Sequence, residues 1–148
     1  MSRPLSFLMA GGGTGGHAYP AISVGQALRA ADPRTELLFV GSSQGPEGEL
    51  ASAAGIAFES VPSAPLVGSK RIAALVRLVS GVFRARRILN RFGADVVFAT
   101  GGHAAAAVVI AQWTRRGRIV IHEQNAVPGR TNLWLARFAE RVCAATQS

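Results

Sequence analysis

The stretch Gly11-Gly12-Gly13-Thr14-Gly15-Gly16-His17 decides the fold. A short apolar run, Leu5 to Ala10, leads into it. A helical pattern through Ala21, Ile22, Val24, Ala27 and Leu28 follows. That order is strand, glycine turn, helix. Such a turn lets backbone N–H groups approach a charged or polar ligand closely, and the helix N-terminus behind it carries partial positive charge. Pro20 is expected in the first helical turn, where its missing N–H costs nothing.

The spacing Gly11-x-Gly13-x-x-Gly16 matches a dinucleotide fingerprint, which also needs a ribose-binding acid about 20 positions on. Here the second apolar run ends in Gly41-Ser42-Ser43, with no carboxylate, which argues against a nicotinamide enzyme. A P-loop needs Gly-Lys-Ser/Thr, and this turn ends Gly16-His17-Ala18. A ligand-free tight turn would not need so many glycines, each of which costs folding entropy. His17 stands where a bound ligand would lie, as an imidazole able to accept a proton near neutral pH.

Outward from this turn, strands and helices alternate. The pattern predicts strands at 5–9, 36–40, 57–61, 95–99, 118–121 and 141–144, and helices at 21–31, 47–54, 70–91, 104–114 and 130–139. Buried strands between helices imply an α/β fold, a Rossmann-like, doubly wound parallel sheet. The stretch 60–69, with Pro62, Pro65 and Gly68, is long enough to be a substrate loop.

Composition narrows the rest. The 148 residues fit one domain, about half apolar and 16% charged, which argues against disorder. One cysteine, Cys143, excludes an internal disulfide framework, and no spacing suits a metal site. The N-terminus does not resemble a signal peptide, and no apolar run is long enough to span a bilayer. Sixteen Lys and Arg against eight acids give a net charge of +8. That balance suits an anionic partner, or is simply an arginine-rich way of staying soluble. Nucleic acid is not expected, because the few aromatics are not interleaved with the arginines.

The long helix shows two stripes. Ile72, Leu75, Val76, Val79 and Phe83 form an apolar one, and Arg77, Arg84, Arg87 and Arg91 a basic one beside it. Either the apolar stripe packs on the sheet, or it is a membrane-surface patch with arginines for lipid phosphates. A second glycine turn, Thr100-Gly101-Gly102-His103, also follows a strand and opens a helix. Ligands of doubly wound sheets bind outside the strand carboxyl ends, so both turns should face one crevice. The run His122-Glu123-Gln124-Asn125 ends a further strand at the same edge. His122 or Glu123 could tie loops together there, and Asn125 could bind a sugar hydroxyl or amide.

Gly12-Gly13-Thr14-Gly15-Gly16-His17, Pro20-Ala21, Gly101-Gly102 and His122-Glu123-Gln124-Asn125, with Pro128-Gly129 and Asn132, resemble the N-terminal half of the MurG family. These are bacterial transferases of glycosyltransferase family 28 that add N-acetylglucosamine to the lipid-linked muramyl-pentapeptide of peptidoglycan synthesis. The resemblance implies the GT-B arrangement. Residues 1–148 would be the acceptor-binding domain, and the C-terminal domain, which holds most of the UDP-sugar, would be absent from this chain. It implies that Thr14, Gly15, Gly16 and Asn125 touch UDP-N-acetylglucosamine. Both glycine turns would face the diphosphate of a polyprenyl-linked acceptor, and Gly101, Gly102 and His103 would be further substrate-binding residues. His17 would be the general base, Glu123 a further catalytic residue, and Glu49 the family's acidic position in the second helix. No metal or other cofactor is expected. Ile72, Leu75, Val76, Val79 and Phe83 with Arg77, Arg84 and Arg87 would dock peripherally on the cytoplasmic face of the bacterial inner membrane. The chain alone is expected to be inactive. The alternative is a non-catalytic module that binds a membrane surface or a lipid diphosphate beside a partner subunit. The chain departs from the family pattern in His103 with Ala105-Ala106-Ala107, where the family has Tyr and Ser-Gly-Pro, and in Val67-Gly68-Ser69-Lys70, where it has Arg-Gly-Lys.

Overall fold

The computed structural model describes residues 3–13, 15–65 and 70–145. Thr14 and the 66–69 part of the expected substrate loop lie outside the described residues. The elements run β1 (Ser6–Gly11), α1 (Gly15–Ala31), β2 (Glu36–Gly41), α2 (Glu47–Ala53), β3 (Ala57–Ser60), α3 (Arg71–Phe92), β4 (Val96–Gly101), α4 (His103–Thr114), β5 (Arg118–Glu123), α5 (Arg130–Leu135), a 3-10 turn (Ala136–Phe138) and β6 (Arg141–Ala144). All strand pairs are parallel, in the order β3-β2-β1-β4-β5-β6. This is the doubly wound sheet expected from the alternation.

Strand periodicity divides the core into two layers. Leu8, Ala10, Leu38, Val40, Val97 and Ala99 face α3 and α4. Met9, Leu37, Phe39 and Phe98 face α1 and α2 on the other side. Successive strand residues point to opposite faces, so both faces must be apolar when both are covered. Helix α4 explains its own alanines: Ala104 to Val109, Ala111 and Gln112 are all buried. Gly81 of α3 lies where a Cβ would overlap the carbonyl oxygen of Pro62 and press on Ala107 at 3.2 Å. Small residues on both helices therefore set how closely α3 and α4 approach.

Several boundaries differ from the sequence pattern, and three bear on the argument. Helix α1 begins at Gly15, inside the glycine turn, rather than at 21. Pro20 is thus an interior residue, and the helix forgoes one hydrogen bond there. Strand β5 extends through His122 and Glu123, because its ladder to β6 continues there. The last helix ends at Leu135 and tightens into a 3-10 turn.

The larger surprise is α3. Its buried side is Ala74, Gly81, Ala85, Ile88 and Leu89. The stripe Ile72, Leu75, Val76, Val79 and Phe83 points outward instead, with Ile72 83% and Phe83 65% exposed. Packing on the sheet is therefore not the explanation of that stripe. The sheet side needs small residues for close approach, and the larger apolar residues stand on the outer face.

Candidate functional site

The chain reverses direction across the sheet between β1 and β4, and a crevice opens there at the strand carboxyl ends. Both glycine turns meet in it. Gly12, Gly13, His17, Gly101, Gly102, His103, Gly129, Arg130, Thr131 and Asn132 line one cleft.

The glycines are needed first for the turns to touch each other. A Cβ on Gly102, whose φ is +88°, would overlap the Gly12 carbonyl. The Gly12 N–H donates to the Gly101 carbonyl at 3.3 Å. The Gly13 N–H donates to the carboxylate of Glu47. Both N–H groups are consumed inside the protein, contrary to the expectation that the turn offers them to a ligand. The N–H groups of the first turn of α1, from Gly15 onward, have no acceptor within the helix. They supply the anion-friendly end that the sequence pattern suggested.

Glu47, not Glu49, is the acidic residue of α2 that reaches the turn. Glu47 is completely buried, and Glu49 is exposed. One Glu47 oxygen serves Gly13, and the other, Oε2, is buried with no partner.

His17, in the first turns of α1, is held from two sides. Its Nδ1 lies 2.9 Å from the Thr100 carbonyl oxygen and 2.8 Å from Gln124 Nε2. The hydroxyl of Thr100 donates to the His17 carbonyl at 2.6 Å. His103 opens α4 beside Gly13, with Nδ1 3.7 Å from where a Gly13 Cβ would be. Burial, and then the nearby His17, holds the His103 imidazole below its ordinary range.

Glu123 is 4% exposed and fully engaged. Its Oε1 accepts the Asn125 N–H at 2.8 Å and Asn125 Nδ2 at 3.0 Å. Its Oε2 accepts the Gly129 N–H at 3.0 Å and Asn132 Nδ2 at 2.9 Å. Burial pushes this carboxyl up, but the four donors together outweigh burial and hold it below its ordinary value. A carboxylate so occupied is a poor proton acceptor, and its geometry is that of an anchor for the loop from Asn125 to Asn132. Asn125 itself is exposed. His122 lies away from the cleft and stacks on Phe98, with ring centroids 6.0 Å apart.

Three buried side-chain oxygens of the described residues have no partner: Glu47 Oε2, Gln124 Oε1 and Asn132 Oδ1. Asn132 lines the cleft, and Glu47 and Gln124 stand behind it, bonded to Gly13 and His17. The sequence pattern singled out His17, Gly101, Gly102 and His103, and the fold brings them together. It gave no role to Thr100, Gln124, Arg130 or Glu47. Only the position of Glu47, two residues before Glu49 and behind Gly45-Pro46, hinted at it.

Beside the cleft, Leu78, Ala106, Trp134 and Ala64 line an apolar groove whose other walls are His103, Arg130 and Thr131. These last three residues are shared with the cleft, so groove and cleft are continuous. Along α3, Arg77, Arg84 and Arg87 are exposed and make no ion pair among the described residues, whereas Arg91 pairs with Glu59; Arg77 and Arg84 line a groove with Ser42 and Ser60 at the ends of β2 and β3.

Comparison with known proteins agrees with this fold. The family described as Glycosyltransferase family 28 N-terminal domain matches residues 7–144. A UDP-N-acetylglucosamine--N-acetylmuramyl-(pentapeptide) pyrophosphoryl-undecaprenol N-acetylglucosamine transferase of Geotalea uraniireducens is 42% identical over 141 residues, which is 93% of this chain and 39% of that protein. A transferase of the same name from Desulforudis audaxviator is 39% identical over 90% of this chain and 37% of its own length. The crystal structure of Acinetobacter baumannii MurG superposes with a TM-score of 0.84 at 29% identity, over 97% of this chain and 42% of that one. A putative UDP-N-acetylglucosamine 2-epimerase from Listeria monocytogenes, 12% identical with a TM-score of 0.73, shares the fold. The chain thus spans about two fifths of the length of the relatives it matches.

Proposed function

The chain belongs to glycosyltransferase family 28, as its N-terminal domain, and from that premise we propose that it is the acceptor-binding half of an inverting N-acetylglucosaminyl transfer. The observation that carries this reading is the placing of His17 beside the paired glycine turns, with Arg130 and the start of α1 in the same cleft. In the proposed step a hydroxyl of the lipid-linked muramyl sugar attacks the anomeric carbon of UDP-N-acetylglucosamine. The carbon–oxygen bond to UDP breaks, the new glycosidic bond forms with inversion, and His17 takes the hydroxyl proton. The acceptor's diphosphate lies against Arg130 and the paired glycine turns, and the adjoining apolar groove suits the first part of its lipid. Thr14, Gly15, Gly16 and Asn125 meet the donor sugar. A C-terminal domain supplies the rest of the UDP contacts, so this chain alone turns over poorly.

The test is transfer from UDP-N-acetylglucosamine to a short-chain lipid-linked acceptor, by this chain alone and mixed with the donor-binding half of a relative. Turnover only in the mixture supports the reading, and His17→Gln should then lower kcat by about 10²–10⁴-fold. Full turnover by the isolated chain overturns the division of labour. No turnover from halves that demonstrably associate favours the second reading, a membrane-surface or lipid-diphosphate binding module that acts with a partner. The observation favouring that module is the exposed apolar face of α3 with its arginines. Either reading places the protein peripherally on the cytoplasmic face of the cell membrane. No described helix is long and apolar enough to cross a membrane.

A further inference from the structure

His17 Nδ1 faces two groups at once, and their chemistry restricts where its proton can be. The Thr100 carbonyl oxygen, 2.9 Å away and fully buried, can only accept. If Nδ1 were the unprotonated nitrogen, two acceptors would confront each other at hydrogen-bond distance. Gln124 would then donate through Nε2 and keep its Oε1 buried with no partner. If Nδ1 carries the proton, Thr100 accepts it. Turning the Gln124 amide over then presents Oε1 to the same N–H, in place of a donor facing a donor. The second arrangement removes the acceptor–acceptor contact, and only a half-used amide remains.

We propose that Thr100 is a positioning residue whose carbonyl holds His17 as the Nδ1–H tautomer, with the Gln124 amide as a second acceptor on the same N–H, so that Nε2 is the nitrogen that takes a proton. Thr100 does this doubly, because its hydroxyl also pins the His17 carbonyl at 2.6 Å. The geometry is independent of the reaction, but its catalytic meaning rests on His17 being the base proposed above. A base needs a free ring nitrogen, and which one is free is set by what the other nitrogen binds. The charged and titratable groups around His17 are His103 at the start of α4, Arg130 at the start of α5, Glu123 at the end of β5 and Glu47 behind Gly13. Gln124 is the neutral group in direct contact, so changing its charge is the selective perturbation.

The experiment is long-range proton–nitrogen NMR on the histidine rings of this chain, with His17→Gln identifying the His17 signals among three histidines. At alkaline pH the expected result is a protonated Nδ1 and a bare Nε2 at His17. A dominant Nε2–H tautomer overturns the proposal, whatever the transfer assay gives. Gln124→Glu sets a carboxylate against Nδ1–H, and should raise the midpoint of His17 protonation by about one pH unit or more. In the reconstituted transferase the acid limb of the pH–rate profile should move by the same amount. Gln124→Met removes the amide, leaves Thr100 in place, and should preserve the tautomer. A switch to Nε2–H in that variant, or an unmoved midpoint in a folded Gln124→Glu chain, also overturns it. Loss of transfer with the tautomer intact would count against the base role of His17 and leave this assignment standing.

Discussion

The carboxylate of Glu47 accepts the N–H of Gly13, so the first glycine turn is held from the start of α2, across the end of β2. Gly12, Gly41 and Gly45 leave the room this side chain occupies. A Cβ on Gly12 would lie 3.0 Å from Glu47 Oε1, and one on Gly41 3.1 Å from Glu47 Cβ. Glu47→Ala removes the acceptor and empties that space. It should cost about 1–3 kcal/mol of folding stability, read from urea titration. Glu47→Gln keeps an acceptor for Gly13 and should cost less. Midpoints equal to wild type for both variants would show that the turn holds itself.

Contact between the two turns makes a sharper prediction. Gly102→Ala places a methyl group into the Gly12 carbonyl, at a backbone conformation that L side chains rarely adopt. Gly55→Ala meets the second penalty without the first, since nothing lies within 4 Å of its Cβ position at φ +67°. The Gly55 variant should lose about 1–2 kcal/mol. The Gly102 variant should lose clearly more, and should disturb the cleft. Equal losses in calorimetry would mean that the turns part easily and that their contact is not what positions His17.

Acid should weaken the fold in two stages. His103 is held below its ordinary value in the folded chain, so the unfolded chain binds that proton first. Stability from this group is complete above the unfolded value, about 6.5, and declines as pH falls through the window below it. Glu123 is also lowered, so its contribution is complete above its unfolded value, about 4.3, and is lost as pH falls further. Urea midpoints measured from pH 8 to pH 3 should show both declines. His103→Gln should remove the first and keep the second. A stability that rises on acidification between pH 7 and 5 would contradict the His103 assignment.

The doubly wound sheet was legible in the sequence because buried parallel strands are continuous apolar runs between helical patterns, and the glycine turns fixed where the crevice opens. His17, Gly101, Gly102 and His103 were legible for the same reason: each lies at a glycine turn that leads from a strand carboxyl end into a helix. Glu47 and Gln124 were not. Their roles depend on which backbone groups the turns leave unpaired, and that is decided by contacts between residues 34 and 107 positions apart. The face of α3 was ambiguous because an apolar stripe alone does not say which side the sheet takes. The small residues Ala74, Gly81 and Ala85 decide it, since the helix approaches α4 and Pro62 too closely there for anything larger.

That outward face gives the last prediction. Phe83, Val79 and Ile72 are exposed, so replacing one should barely change stability, within about 0.5 kcal/mol. If they enter a membrane interface, burial of the Phe83 ring contributes about 1.5–3 kcal/mol, or roughly ten- to hundredfold in partitioning. Phe83→Glu also sets a carboxylate beside Arg84 and Arg87, and should weaken binding to anionic vesicles by at least that factor. Arg84→Gln with Arg87→Gln should weaken binding mainly at low salt, because exposed charges are screened beyond about 10 Å at 0.1 M ionic strength. Vesicle sedimentation at two salt concentrations separates the two contributions. Binding that survives Phe83→Glu but vanishes with salt would mean that the arginines alone hold the surface and the apolar face is meant for something else.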